Sequence, residues 1–207
     1  MLQTKTENRM LHSSKNKKFR NVAMVFILFL TPLLSHAGQD ISNHMGLQKL
    51  GEGKKSWFGL SVYTASLWGE RNSDLTGIYN KQLMLSIHYV RNSNSSRIIK
   101  STRNEWKKIH GEITPQEKRW LNYLAEIFPD ISAGEQLSSF MIPDKETRFY
   151  LGNKEIGRVS DADFGPAFLA IWLDPRTSDK TLRAKLLGDT TAEKTTKALP
   201  DNFSANL

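Results

Sequence analysis

Apolar residues recur along this chain in two rhythms. At residues 83–90, Leu83, Leu85, Ile87 and Tyr89 alternate with Met84, Ser86, His88 and Val90. A period of two predicts a strand with one fully apolar face and one mixed face. Residues 57–68 are rich in aromatic and β-branched side chains. Phe58, Leu60 and Val62 lie on one face, then Tyr63, Ala65 and Leu67 continue on the other. The change of phase predicts a strand with a bulge near Val62. Further strands are predicted at 137–142, 147–151 and 155–159, the last two joined across Gly152-Asn153-Lys154.

Between these runs the period lengthens. Residues 96–109 place Ile98, Thr102, Trp106 and Ile109 on a narrow stripe, with Arg97, Lys100, Arg103, Lys107 and Lys108 elsewhere. Thr114-Pro115-Gln116-Glu117 has the grammar of a helix start: Thr114 caps, proline is tolerated at the first helical position, and Glu117 completes a capping box. Trp120, Leu121, Leu124, Ile127 and Phe128 then repeat at helical spacing until Pro129 ends the run. Residues 164–172 are apolar on most sides, which predicts a buried helix capped by Asp161. One more short helix is predicted at 181–187.

Residues 39–50 read as a polar lead-in. Gly51-Glu52-Gly53-Lys54-Lys55 reads as a turn, and Asn72-Ser73-Asp74 and residues 92–96 read as loops. Strands, two helices, strands and then helices is an α+β order, with helices gathered on one face of a mostly antiparallel sheet.

The N-terminal segment has a different logic. Lys15, Lys17, Lys18 and Arg20 precede a 13-residue apolar run at 22–34, broken by Thr31 and Pro32 and followed by Ser35-His36-Ala37. A basic flank, a short apolar stretch and a small-x-small exit describe a secretory leader. The run is too short to span a bilayer core, which needs about 20 apolar residues. Cleavage is expected after Ala37, leaving a domain at 38–188 and a polar, Thr-rich tail at 189–207 that reads as disordered. The mature chain is then expected in the periplasm or secreted, without stable membrane insertion.

That reading changes the meaning of the charge. The whole chain carries 29 basic and 21 acidic residues, a formal net +8. The leader holds six basic residues against Glu7, so +5 leaves with it and +3 remains. The basic helix at 97–108 has no exposed aromatics between its charges for base stacking, and reads as a solvated face, not a nucleic-acid surface.

Candidate chemistry is sparse. There are no cysteines, which removes disulfides, thiol nucleophiles and thiolate metal sites together. His44, His88 and His110 have no ligand spacing, so no metal is expected. The sequence lacks Gly-x-Ser-x-Gly and Ser-x-x-Lys, and Gly51-x-Gly53 lacks the third glycine of a nucleotide cradle, so no cofactor is expected. Asp161 and Asp163 read as helix caps, and Trp106, Trp120 and Trp172 as packing residues.

Several segments together resemble chalcone isomerase-like proteins, and in particular a bacterial exported branch. They are Gly51-x-Gly53-x-Lys55, Val62-Tyr63-Thr64-Ala65-Ser66-Leu67-Trp68 and Leu85-x-Ile87-x-Tyr89-Val90-Arg91, followed by the Trp106 helix and Phe149-Tyr150-Leu151-Gly152-Asn153. Asp161-x-Asp163-Phe164, Ala170-Ile171-Trp172-Leu173 and Leu182-Arg183-x-x-Leu186-Leu187-Gly188 complete the set, which spans about residues 46–188. The resemblance implies an open-faced β-sandwich: a large antiparallel sheet, a helical layer and a ligand cleft between them. Plant members cyclise a chalcone to a flavanone, with an arginine two residues past the second glycine; a related branch uses that arginine to hold a fatty-acid carboxylate.

Here that position is Lys55, and the plant enzymes' threonine on the next strand falls on Tyr63. Lysine keeps the charge and loses the bidentate fork. The resemblance therefore implies a non-catalytic protein binding a small apolar or amphipathic molecule such as a fatty acid. Lys55, Tyr63 and Tyr89 would line the polar end, with Arg91 as a helper. Two alternatives stay open: an intramolecular lyase (isomerase) acting on another substrate, and a structural or interaction module whose cleft is filled.

Overall fold

The computed structural model describes residues 45–70 and 77–189. The leader, the Asn72-Ser73-Asp74 loop and the tail beyond residue 189 lie outside the described residues.

Six strands form one antiparallel sheet in the order of the chain: β1 Gln48–Trp57, β2 Leu60–Gly69, β3 Leu83–Tyr89, β4 Gln136–Ile142, β5 Glu146–Leu151 and β6 Lys154–Val159. Between β3 and β4 run α1 Ser95–His110 and α2 Pro115–Ile127; after β6 come α3 Phe164–Leu173 and α4 Lys180–Leu186. The α+β order predicted from the periodicity is the order observed, and the helices pack on one face of the sheet.

That face is set by alternation. Ala65, Ile87, Leu137 and Leu151 align across β2 to β5, as do Leu67, Leu85, Ser139 and Phe149 in the next row. All except the half-buried Leu151 are buried. A lattice of edge-on rings joins helices to sheet: Trp106 to Trp120 at 5.9 Å, Trp120 to Phe164 at 5.3 Å and Phe164 to Phe149 at 5.9 Å between centroids. On the opposite face Leu47, Met84, Phe140 and Tyr150 form a second, smaller cluster.

The α2 capping box is present in full, with Thr114 Oγ1 accepting from the Glu117 amide at 3.1 Å and Glu117 Oε2 accepting from the Thr114 amide at 2.8 Å. The bulge is also where the phase change put it. Lys55 pairs with Tyr63 and Ser56 with Ser61, so Val62 is the extra residue of β2.

The glycine pair departs from expectation. Residues 51–55 form the body of β1, not a turn, and the turn lies at Phe58-Gly59, both at positive φ (47° and 74°). This fits a tight hairpin whose two central residues are left-handed. Gly51 is there for space: a Cβ on it would stand 2.1 Å from the Lys185 carbonyl oxygen and 2.3 Å from that of Leu186. Its lack of a side chain lets the end of α4 lie directly on the strand.

Asp161 differs as well. The residue preceding α3 is Asp163, whose side chain makes no capping bond. Asp161 instead accepts from Gln116 Nε2 (2.9 Å) and Trp120 Nε1 (3.1 Å) through one oxygen, and from the Asp163 amide (3.1 Å) through the other. It ties the start of α3 to α2. Although burial opposes ionisation, the bonds from Gln116, the Asp163 amide and Trp120 hold its carboxyl below the usual aspartate range.

Candidate ligand cavity

A cavity of about 280 Å³ lies between the helical layer and strands β1–β4 of the sheet. Its wall is apolar: Ile87, Ile98, Phe128, Leu137, Phe168 and Leu182 come from five elements and the α2–β4 loop. Its rim is polar and asymmetric. At one end stand Lys55, Tyr63, Trp172 and Asp179; along α1 stand Arg97, Ser101 and Glu105.

Three of the four residues singled out from the sequence meet here. Lys55 and Tyr63 are register partners on β1 and β2, and Tyr63 pairs in turn with Tyr89 on β3. Alternation therefore sends all three to the helix side, and the Tyr63 and Tyr89 rings lie 5.9 Å apart. Arg91 stands elsewhere. It is exposed, donates from Nε to the Ser61 carbonyl at 2.9 Å, and is not among the residues lining the cavity.

The partners of these groups define the chemistry. Lys55 Nζ is 2.9 Å from Asp179 Oδ2, with both side chains about three-quarters buried or slightly less. Asp179 Oδ1 accepts from the Leu182 amide at 2.9 Å, so the same carboxylate caps α4. Tyr63 Oη accepts from Trp172 Nε1 at 3.1 Å. Burial pushes the Tyr63 phenol up to about 12 against the Trp172 bond, helped by the negative charges of Asp179 and Glu105. The Tyr89 phenol is pushed higher still by burial and by Tyr63. Both are neutral hydroxyls near pH 7.

Two readings of the sequence change here. Trp172 is not only a packing residue: it is half-buried, lines the cavity and holds the Tyr63 hydroxyl. Arg97 belongs to the cavity rim and not simply to a solvated basic face. Arg97, Ser101 and Glu105 follow at intervals of four, a polar stripe that helical spacing already brings to one face of α1. Asp179 is a residue the sequence reading passes over: its pairing with Lys55, 124 positions away, is a product of the fold. Among the described residues no three His, Cys, Asp or Glu side chains gather as a metal site, and no helix is long and apolar enough to cross a membrane.

The chalcone isomerase-like family model matches residues 41–188. An uncharacterised protein of Haemophilus influenzae is 30% identical over 148 residues, which cover 69% of this chain and 69% of that protein. The crystal structure of an Arabidopsis thaliana fatty-acid binding protein is similar in fold, with a TM-score of 0.53 at 16% identity, covering 72% of this chain and 89% of the other. The match to the family model across the sheet, the helical layer and the cavity they enclose shows that the chain belongs to the chalcone isomerase-like family.

Proposed function

We propose that this protein is an exported, non-catalytic carrier or sensor of a small amphipathic molecule, with a fatty acid as the best-fitting class. The observation that carries the reading is the cavity itself. An apolar chamber of about 280 Å³ with a polar rim is shaped for a ligand that is mostly hydrocarbon with one polar end. The fold shared with a fatty-acid binding protein supports it. An open cavity also argues against a module whose cleft is filled.

The isomerase reading needs Lys55 and Tyr63 to converge on a reacting group. Lys55 is engaged by Asp179, and the Tyr63 hydroxyl is neutral and engaged by Trp172. Binding makes fewer demands of these residues than chemistry does. Export rests on the leader at residues 1–37 and places the working protein where envelope lipids are at hand.

Native mass spectrometry on the full chain expressed in a Gram-negative host tests both parts. A mature N-terminus at Gly38 in the periplasmic fraction, with an added mass that organic extraction identifies as an amphipath, is expected. Protein recovered repeatedly without ligand, and indifferent to both decanoate and decan-1-ol, would overturn the binding reading. A retained leader in a cytoplasmic fraction would overturn export.

A further inference from the structure

The cation that corresponds to the family's strand arginine is already neutralised. Lys55 lies 2.9 Å from Asp179, and Glu105, on the same rim, accepts from both the backbone amide and the hydroxyl of Ser178. A carboxylate brought to this end meets one paired ammonium and two carboxylates. Coulomb repulsion and the loss of an existing ion pair both oppose it.

The other end of the rim is different. Arg97 lies eight residues before Glu105 on α1, about 12 Å away along the axis at 1.5 Å per residue. Its guanidinium has no acidic partner among the described residues; Asp130, which shares a neighbouring surface depression with it, accepts from the Ser95 amide. Tyr89 adds an independent pointer. It is 5% exposed, lines the cavity, and its hydroxyl has no hydrogen-bond partner among the described residues. Tyr89 ends β3, and the chain passes through the cavity-lining Ser93 to reach Arg97 four residues later.

We infer that Arg97, with the Tyr89 hydroxyl, receives the anionic head of the ligand, while Asp179 holds Lys55 out of that role. The inference rests on the ligand-binding reading above and assigns the site its polarity: the head lies at the start of α1 and the tail runs across Ile98, Leu137 and Phe168. A guanidinium suits the task because it offers paired donors to a carboxylate. Asp179 becomes a specificity residue, since it determines which of two cations is available.

Binding of decanoate and of decan-1-ol to the full chain, measured by competition with a fluorescent apolar dye, tests this with Arg97→Gln, Asp179→Asn and the double variant. Asparagine at 179 can keep the α4 cap, so Asp179→Asn frees Lys55 without removing the helix start. Arg97→Gln is expected to weaken decanoate about tenfold, the worth of a charge-assisted bond, and to leave decanol unchanged. Asp179→Asn is expected to strengthen decanoate, and the double variant to recover what Arg97→Gln loses. Unchanged decanoate affinity in Arg97→Gln overturns the inference while leaving the ligand-binding reading intact. An equal loss of decanoate and decanol also overturns it, because the cavity and not the head site was damaged. If neither probe binds the wild-type chain, the ligand-binding reading itself fails.

Discussion

Asp179 serves Lys55 and the start of α4 with its two oxygens, 2.9 Å from the ammonium on one side and 2.9 Å from the Leu182 amide on the other. The two duties separate by substitution. Asp179→Ala loses cap and ion pair together and is expected to cost about 1–2 kcal/mol. Asp179→Asn retains the cap and should cost less by about 1 kcal/mol. Urea melts of the two variants check this; equal losses would mean that the cap contributes nothing.

The two glycines of β1 should differ sharply. Alanine at Gly51 drives a methyl into the backbone carbonyls of Lys185 and Leu186, which cannot give way without moving α4. A loss of at least about 3 kcal/mol is expected. At Gly53 the nearest atom is Leu182 Cδ1 at 2.7 Å, the end of a flexible side chain, so about 1 kcal/mol is expected. Thermal melts showing the reverse ranking would refute the role assigned to Gly51.

The half-buried Asp161 and the buried Trp120 form one joint between α2 and α3. Trp120→Ala should cost about 3–5 kcal/mol, because the ring is buried between Trp106 and Phe164. Asp161→Ala should cost about 1–3 kcal/mol by orphaning the indole N–H and the Gln116 amide. Its carboxyl is held below the ordinary value, so the stability it contributes is present above about pH 4 and is lost as pH falls through the lowered folded value. The acid limb of a stability–pH curve should therefore be shallower in Asp161→Ala than in the wild type.

Tyr63 contributes to the alkaline limb, together with the raised phenols of Tyr79 and Tyr89. The Tyr63 phenol is raised from 10 to about 12 on folding, so this contribution is complete below about pH 10 and is lost as pH rises towards 12. Tyr63→Phe has no proton to lose there. It should cost about 1 kcal/mol at neutral pH, where Trp172 Nε1 loses its acceptor. Above pH 10 its stability should then fall less steeply than that of the wild type. Parallel curves from denaturant melts across this range would rule out a perturbed Tyr63.

Much of this architecture was legible because it is local. Thr114, Pro115 and Glu117 announce a helix start by chemistry contained within four residues, and the capping box is where they put it. The phase change at Val62 is likewise a property of neighbouring residues, and the bulge is there. Gly51 and Gly53 read as a turn, and lie in a strand, for a related reason. Glycine signals freedom of the backbone, but the sequence does not say whether that freedom serves a turn or a close approach. Here α4, arriving from more than a hundred residues away, supplies the cause.

The cavity divides along the same line. Alternation on β1 to β3 is enough to bring Lys55, Tyr63 and Tyr89 to one side of a sheet, and resemblance to the family directs attention to them. The sequence by itself thus determined the elements other than β1, their order, and a basic residue beside two tyrosines. Only the tertiary structure decided that Lys55 meets Asp179, that Trp172 holds the Tyr63 hydroxyl, and that Arg97 stands over the same chamber. Periodicity fixes which way a side chain faces within its own element. Which charge it then meets depends on how separate elements pack, and an ion pair across 124 residues leaves no mark on either neighbourhood of the chain.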